Sequence, residues 1–562
     1  MNWVAELMVK FDILGLRTLS VIYDVCTQLD IDINNINPND SFIYENFKDL
    51  RHPQGLFQIE AHTNFNVCRK VGPRNLEELS AVVALARPGA LEFLDQYFTY
   101  VTTGDFQSQH SVFDDVLGYT GGIPLYQEQL MKMAVKVGFT LDEAEQLRRI
   151  VGKKKVDQMP AWKARIEEKV EQNNLDSEVG DILWKVAEDS ANYSFNKSHS
   201  LAYANLAAWT AYLKFKHPQE FFIALLRMAK YEPAPHEEIA KICQELSHFN
   251  INLLPPDLAR SDMDFSIEGK DIRFGLNSIK GVSEKSLQSL RDFRDSENPN
   301  KYDIFLSAKE AGLNIGILSA LIQAGSLSEY KTRRARLVLE AQAFNILTDR
   351  EKRNFQALGS KYDWDVLNTI QAVRTESLIV DDSKPIMKDS RFETFKKKYI
   401  PYKEIYDRNK KYEKFANWYF ENKLLGYSPT IPLKEVFSEN SEGLGDANDF
   451  HTLEVDHHGR FIGVVADFFK GTSQRGNDYL KFIIRDEVGE YPVMLMDRRA
   501  RDQYGHWRTV NVLSDFNSKN PKGPKKDSII VCYGSKGDSI LFCNKFEVID
   551  EKIYMKLSDL KS

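Results

Sequence analysis

The sequence predicts a multidomain α+β protein: a long helical body followed by a small β-barrel. Three observations predict it. The chain has 562 residues, too many for one core and enough for about three to five domains. Over residues 57–228 the apolar positions recur at helical spacing, broken by Gly and Pro. After Phe461 the pattern becomes short runs rich in Ile, Val, Phe and Tyr, separated by turn residues. A hydrophobic fraction of 43% with 12% aromatics fits a mostly folded chain.

Composition excludes some classes. A net charge of −7 argues against a basic coat protein, although local patches can still bind nucleic acid. The five cysteines, Cys26, Cys68, Cys243, Cys532 and Cys543, form no C-x-x-C pair and fit no zinc ribbon. They read as reduced thiols of a cytoplasmic protein. Residues 1–8 contain Glu6 and no cleavage signal, so no signal peptide is expected. The most apolar stretch, residues 201–215, is too short to cross a bilayer and reads as a buried helix.

In chain order, residues 8–14 alternate and then turn apolar, reading as a short strand with Asp12 on its polar side. A strand without an earlier partner makes no sheet alone, so the chain is expected to open inside a larger unit. A helical pattern over 16–29 follows Gly15. Arg87-Pro88-Gly89 and Gly121-Gly122-Ile123-Pro124 are breakers. Thr140-Leu141-Asp142-Glu143 is a capping box. Leu141, Ala144, Leu147 and Val151 then share one helix face, and Gly152 suits the C-terminal cap.

Residues 148–155, Arg-Arg-Ile-Val-Gly-Lys-Lys-Lys, hold five cations in eight residues. Helix C-termini favour cations through the dipole alone, but one or two would meet that preference. The excess predicts an anion site. The polar loop 192–200 feeds the helix over 201–216, with Ser198 or Ser200 as N-cap and its N-terminus open to an anion. Lys197 and His199 sit at its mouth. His199 alone reads equally as a cap or a satisfied surface histidine.

Residues 252–256 read as a connector, and 273–276 as a strand end. Residues 278–287 form a tight turn opening a helix, which looks like the second half of a helix-hairpin-helix, where backbone N–H groups hold a DNA phosphate. Ser283 stands where that motif has its second glycine, and an ordinary helix start is the competing reading. Residues 340–425 read as a helical connector. The runs 461–466, 479–485, 491–496, 528–534, 539–543 and 546–549 are the expected strands, best accommodated by an OB-fold. The basic loop 519–526 can contact single strands or simply be solvated.

Several segments together resemble the bacterial replicative DNA polymerase III alpha subunit (C-family polymerases). Val9-Lys10-Phe11-Asp12-Ile13-Leu14-Gly15-Leu16-Arg17-Thr18-Leu19 looks like the last catalytic strand of its palm. Phe57-Gln58-Ile59-Glu60, Ala84-Leu85-Ala86-Arg87-Pro88-Gly89 and Gly122-Ile123-Pro124-Leu125-Tyr126-Gln127-Glu128-Gln129 look like its fingers. So do the 148–155 run and Phe195-Asn196-Lys197-Ser198-His199-Ser200-Leu201-Ala202-Tyr203. The match is in order over about 1–340 and looser beyond, where Leu424-Leu425-Gly426-Tyr427-Ser428-Pro429 resembles the turn before the family's OB domain.

The resemblance implies mainly helical fingers with a palm remnant, a helix-hairpin-helix region and a C-terminal β-barrel (OB-fold). Its boundaries are 1–20 palm remnant, 21–235 fingers, 236–340 clamp-binding region with helix-hairpin-helix at about 273–291, 341–454 connector, 455–550 OB-fold and 551–562 tail. It implies template-directed nucleotidyl transfer with two Mg2+ ions held by clustered aspartates. Asp12 would be a metal ligand, with Lys10 beside it. Arg148, Arg149, Lys153, Lys154, Asn196, Lys197 and His199 would line the nucleotide cleft, while Lys155, Lys280, Gly281, Ser283 and Lys285 would meet DNA. Implied partners are primer-template DNA, dNTPs and a sliding clamp, the nearest clamp motif being Gln356-Ala357-Leu358.

The family's other two palm aspartates form a D-x-D strand ahead of the one matched by Asp12, and the eleven residues before Asp12 hold no match. The pairs Asp30/Asp32, Asp262/Asp264 and Asp363/Asp365 follow the palm strand and read as solvated or capping carboxylates. The expectation is therefore a polymerase portion, from a split gene (as in a phage) or a truncated reading frame, that needs a separate N-terminal chain for activity. The alternative is a non-catalytic DNA-binding module or an inactive fragment.

Overall fold

The computed structural model describes residues 15–152, 158–282, 284–296, 301–327, 333–359, 366–374, 385, 387–437, 443–473, 475–501 and 506–549. Lys10, Asp12, Lys153, Lys154, Lys155, Ser283 and the Asp363/Asp365 pair lie outside them. The chain divides into two compact units, Met1–Met228 and Ala229–Ser562.

The first unit is helical among its described residues: α1 Arg17–Leu29, α2 Ser41–Lys48, α3 His62–Val71, α4 Leu76–Leu85, α5 Leu94–Thr103, α6 Asp114–Leu117, α7 Gln127–Val137, α8 Leu141–Gly152, α9 Met159–Gln172, α10 Ser177–Tyr193, α11 Lys197–Lys216 and α12 Pro218–Ala229, whose last residue opens the second unit. It has two main cores. One gathers Phe47, Leu56, Val82, Leu125 and Ala208 from α2 to α11. The other gathers Phe113 from the turn before α6 with Met133, Leu147, Trp162 and Leu183 of α7 to α10. The turn between α6 and α7 needs glycine. Gly121 and Gly122 have φ of +69° and +80°, and a Cβ on Gly122 would sit 2.2 Å from the Gln107 carbonyl oxygen.

The buried helix expected over 201–216 is α11, but it begins at Lys197 and its N-cap is Asn196, whose side chain accepts from the His199 N–H at 2.8 Å. The caps expected at Ser198 or Ser200 are therefore corrected. Ser200 is fully buried instead, donating to the Ser80 carbonyl and accepting from the Ser80 hydroxyl. That polar patch clips α11 onto α4, while Ala204, Ala207, Ala208 and Ala211 allow the close approach. Lys214 is also fully buried, with its ammonium donating to the carbonyls of His52 and Gln54, both at 2.6 Å. Those two bonds satisfy a charge that could not otherwise be buried.

The second unit begins with α13 Pro235–Leu246 and a three-stranded sheet in the order β1-β3-β2, made of β1 Leu253–Leu254, β2 Ser266–Glu268 and β3 Asp271–Arg273. The connector read at 252–256 thus contributes a strand, parallel to β3. α14 Leu287–Arg294 follows the predicted turn, and Gly281 in that turn has φ +96° with open space where a Cβ would lie. α15 Lys301–Glu310 and α16 Ile315–Gln323 follow, and α17 Arg334–Ile346, α18 Asp349–Gly359, α19 Val366–Val373, α20 Asp389–Asn409, α21 Glu413–Leu425, α22 Leu433–Val436 and α23 Ala447–Thr452 run through the segment read as the connector. The backbone of Gln356-Ala357-Leu358 is helical, within α18.

The C-terminal barrel is closed. After the two-residue β4 Leu444–Gly445 come β5 His458–Thr472, β6 Asp478–Arg485, β7 Glu490–Leu495, a hairpin of β8 Arg498–Arg501 and β9 Trp507–Val510, α24 Val512–Lys519, β10 Ile529–Lys536 and β11 Leu541–Val548. β5 pairs with β6, β6 with β7, β7 with β11 in parallel, β11 with β10, and β10 back with β5. The five strands of the expected OB-fold are present. The runs 539–543 and 546–549, read as two strands, are the single strand β11, and the β8–β9 hairpin and α24 were not foreseen. Alternate residues Leu480, Phe482 and Ile484 of β6 and Tyr491, Val493 and Leu495 of β7 point into the barrel core.

A buried carboxylate pair ties the β6–β7 turn to its surroundings. Asp486 accepts from the N–H groups of Ala447, Val488 and Gly489. Glu487 accepts from the Trp418 indole of α21 and the Leu433 N–H. Burial pushes Asp486 up to about 6 against those three donors, and burial also raises Glu487. A folded pKa above the unfolded value of about 3.9 means that the folded state holds more protons from about pH 4 to pH 6, so Asp486 contributes stability at acid pH that is lost as pH rises through about 6. Asp486→Asn is expected to cost stability throughout, since its amide would face N–H donors. It should also flatten the decline in urea midpoint between pH 4 and pH 7. A wild-type slope retained in the variant would contradict this.

The described cysteines are free thiols, as expected. Among the described residues no helix is long and apolar enough to cross a membrane.

Candidate nucleotide and DNA sites

The N-terminus of α11 organises the candidate site of the first unit. Ahead of it, Phe195 runs beside Leu125-Tyr126-Gln127: its N–H donates to the Leu125 carbonyl and its carbonyl accepts from the Gln127 N–H. Two segments far apart in sequence, 122–129 and 195–203, are thereby joined at their backbones. Glu128 then accepts from the Asn196 amide at 3.0 Å and from the Lys197 N–H with both oxygens, at 3.1 and 3.0 Å. The helix N-terminus read as open to an anion thus already carries a carboxylate of this chain, placed where the dipole favours it.

Lys197 points its ammonium 3.1 Å from Glu77 and 4.6 Å from the centre of the Tyr119 ring. Burial, with Glu77 and Glu128 nearby, pushes the Tyr119 hydroxyl up to about 12, so it stays a neutral phenol beside that cation. A half-exposed ion pair of this kind contributes about 0–1 kcal/mol, and its lysine can exchange partners at little cost.

His199 lies two residues further along the same helix. Its ring is 4.1 Å from that of Tyr203 and 5.6 Å from that of Phe195. Tyr203 stacks on Phe57 at 5.1 Å, and the Arg87 guanidinium covers Phe195 at 4.4 Å. A concave surface of about 330 Å³ opens here, bordered by Gln58, Asn64, Arg87, Phe195, His199 and Tyr203. Gln58 holds a left-handed φ of +60°, a conformation that costs a non-glycine residue energy and concentrates at functional sites. Its carbonyl accepts from the Asn64 amide at 2.5 Å. The segments 57–60, 84–89 and 195–203 therefore converge on one surface. Arg87 was read as part of a breaker, and its cation–π contact with Phe195 was not legible from spacing.

The cation run begins where expected, on a capped helix. The Thr140 hydroxyl and the Glu143 carboxylate exchange bonds with each other's backbone N–H groups, and Gly152 is the last helical residue of α8. Arg148 and Arg149 share one carboxylate. Arg148 forks onto Glu145 with two bonds of 2.7 Å, and Arg149 adds a third of 2.7 Å. The hydrogen bonds from Arg148 first, then those from Arg149, hold Glu145 down to about 2. Arg148 also donates to the Gln127 side-chain oxygen at 3.2 Å, which links the run to the α11 mouth. Asn196, Lys197, His199 and Arg148 are thus connected through Gln127, Glu128 and Phe195, and Arg149 joins through Glu145. Glu145 lies three and four residues before the arginines, a helical ion-pair spacing visible in the sequence.

Apart from Lys155, the candidate DNA residues belong to the second unit. The Lys280 N–H donates to the Leu424 carbonyl, which ties the glycine turn to the end of α21. Lys285 lies in the short helical turn Glu284–Ser286 before α14. In the basic loop 519–526, Lys526 pairs with Asp467 at 3.0 Å.

The D-x-D pairs behave as capping and paired carboxylates where described. Asp32 caps a short turn by accepting from the Asn34 N–H. Asp262 and Asp264 face Arg294 and Lys230 at 3.5 and 3.7 Å. Among the described residues no three His, Cys, Asp or Glu side chains converge as metal ligands.

Residues 18–174 match the model of the bacterial DNA polymerase III alpha subunit finger domain. Residues 250–337 match that of the helix-hairpin-helix motif. The DNA polymerase III subunit alpha of Thermus aquaticus is 32% identical over 346 residues, 59% of this chain and 28% of the relative. That of Aquifex aeolicus is 32% identical over 344 residues, 59% and 29%. That of Campylobacter jejuni is 28% identical over 534 residues, 91% and 41%. The chain spans less than half the length of these relatives. On the finger and helix-hairpin-helix segments, the chain is similar to bacterial DNA polymerase III alpha subunits.

Proposed function

We propose that this chain is the nucleotide- and DNA-holding portion of a replicative DNA-directed DNA polymerase. The observation that carries the reading is the convergence of the 57–60, 84–89, 122–129 and 195–203 segments around α11. In it Arg87 and His199 border one concave surface, while Lys197 is held at the same helix end through Glu128, and Arg148 reaches that end through Gln127. Cations fixed in this way stabilise the charge that develops on a transferring phosphoryl group and its leaving pyrophosphate. Lys197 is the best placed of them, because its weak Glu77 pair can be exchanged for a phosphate oxygen. Lys153, Lys154 and Lys155, which follow α8 in sequence, would add to the same field.

Phosphoryl transfer of this class uses two Mg2+ ions, and Asp12 is the proposed ligand on this chain. The remaining carboxylates are to be supplied by polymerase sequence that these 562 residues do not include, on a separate N-terminal polypeptide or in a longer form of this one. Primer-template DNA would be met by the glycine turn at Lys280, Gly281, Ser283 and Lys285, with Lys155 from the fingers side. A sliding clamp remains a proposed partner.

The test is reconstitution. Primer extension is expected from the chain mixed with a polypeptide carrying the palm carboxylates and not from the chain alone. Asp12→Asn in the mixture should reduce extension by at least about 10³-fold. The second reading, a non-catalytic DNA-binding module, is favoured by the glycine turn and the barrel. It would prevail if primer-template bound but the mixture extended nothing.

A further inference from the structure

A second concave site lies on the barrel, apart from everything assigned above. It encloses about 650 Å³, within the range of roughly 300–1,000 Å³ typical of small-molecule sites. β10 and β11 form one wall. The β8–β9 hairpin and α24 form the other. Tyr533 of β10 stacks on His458 of β5, with centroids 5.6 Å apart and planes at 26°. Nε2 of His458 is buried and has no hydrogen-bond partner among the described residues, an arrangement that native interiors rarely leave unfilled.

The rim is cationic. Arg508, Lys519 and Lys545 border the cavity together with one acid, Asp515, which lies 3.6 Å from Lys519. Asn544 borders it too, and its side-chain oxygen already accepts from Arg498 at 2.7 Å, which leaves its NH₂ group to donate.

A stacking platform, an amide donor and a surplus of positive charge describe the complement of one aromatic base carrying a phosphate. We propose that this pocket binds a free mononucleotide, with the base against Tyr533 and His458 and the phosphate toward Arg508 and Lys545. Single-strand binding works through successive aromatic platforms along an open groove. Here one stacked pair sits at the back of a cavity sized for one nucleotide.

The experiment is photo-crosslinking of the full 562-residue chain with 8-azido-dAMP, read by peptide mass spectrometry, with calorimetric titration of unmodified dAMP. Labelling is expected on peptides spanning 507–519 and 529–546, saturable and competed by dAMP. Tyr533→Ala should weaken dAMP binding about tenfold. Lys545→Glu changes an exposed side chain that the fold does not need, and should weaken it about threefold or more, an effect that shrinks at high salt. Thermal melting checks that both variants fold. Labels that map outside these peptides would overturn the proposal, as would unchanged affinity in folded Lys545→Glu. Labelling by an azido-adenine oligodeoxynucleotide but not by the free nucleotide would assign the pocket to a DNA strand and equally overturn it.

Discussion

Primer extension by the reconstituted polymerase is expected to fall about 10²–10³-fold when Lys197 is replaced by alanine, the range found when one preorganised donor to a developing oxyanion is removed. Lys197 sits at the start of α11, with its backbone fixed by Glu128 and its ammonium lying between Glu77 and the Tyr119 ring. Its burial is partial and its ion pair weak, so the loss should appear in turnover and not in folding. Lys197→Arg should recover part of the rate, because the charge is kept while the single ammonium is replaced by a planar fork. The measurement is single-turnover incorporation against dNTP concentration. A fall in melting temperature that accounts for the lost rate would reduce Lys197 to a structural role.

Glu421→Ala is expected to destabilise the second unit by about 3–5 kcal/mol, the cost of leaving the partner of a buried charge uncompensated. Glu421 is fully buried on α21. It accepts from Arg334, from the Ser428 and Thr430 hydroxyls and from the Thr430 N–H. One carboxylate thereby fastens the start of α17 to the segment that leads from α21 to the barrel. Arg334 is one-fifth exposed and can regain some water, which favours the lower end of the range. Glu421→Gln, which keeps the shape and part of the bonding, should lose less. Urea unfolding measures both, and equal losses would mean that packing rather than charge sets the cost.

The sequence was most readable where a single local rule decides the outcome. The capping box at Thr140 and Glu143, the glycine turn at Gly281 and the strands 479–485 and 491–496 all formed within a residue or so of the reading. It was least readable where a tertiary partner overrides the local rule. Ser200 is a good cap by type, yet Ser80 on α4 draws it into the core, and Asn196 three residues before His199 takes the cap. α24, eight residues long, places Val512 and Phe516 within a polar stretch, too short for its periodicity to stand out, and it folds because both side chains reach the barrel core. In the candidate site, Lys197, His199 and Arg148 were visible as charges and motif residues. Arg87, Gln58 and Glu128 stood within motifs but without a site role, since each acts through a contact made across at least 65 positions or through a backbone angle.

Glu128 changes what it means for that helix end to receive a substrate. A phosphate arriving at the Lys197 N–H would find the place taken by a carboxylate of the same chain, so its arrival is an exchange of one anion for another. On the proposed reading, the helix end would be kept quiet toward stray inorganic anions, which bring one or two charges and no base to stack. A ligand that also engaged the arginines, the lysine and the aromatic surface would outbid the resident carboxylate, and selectivity would be set by how many contacts an anion makes at once.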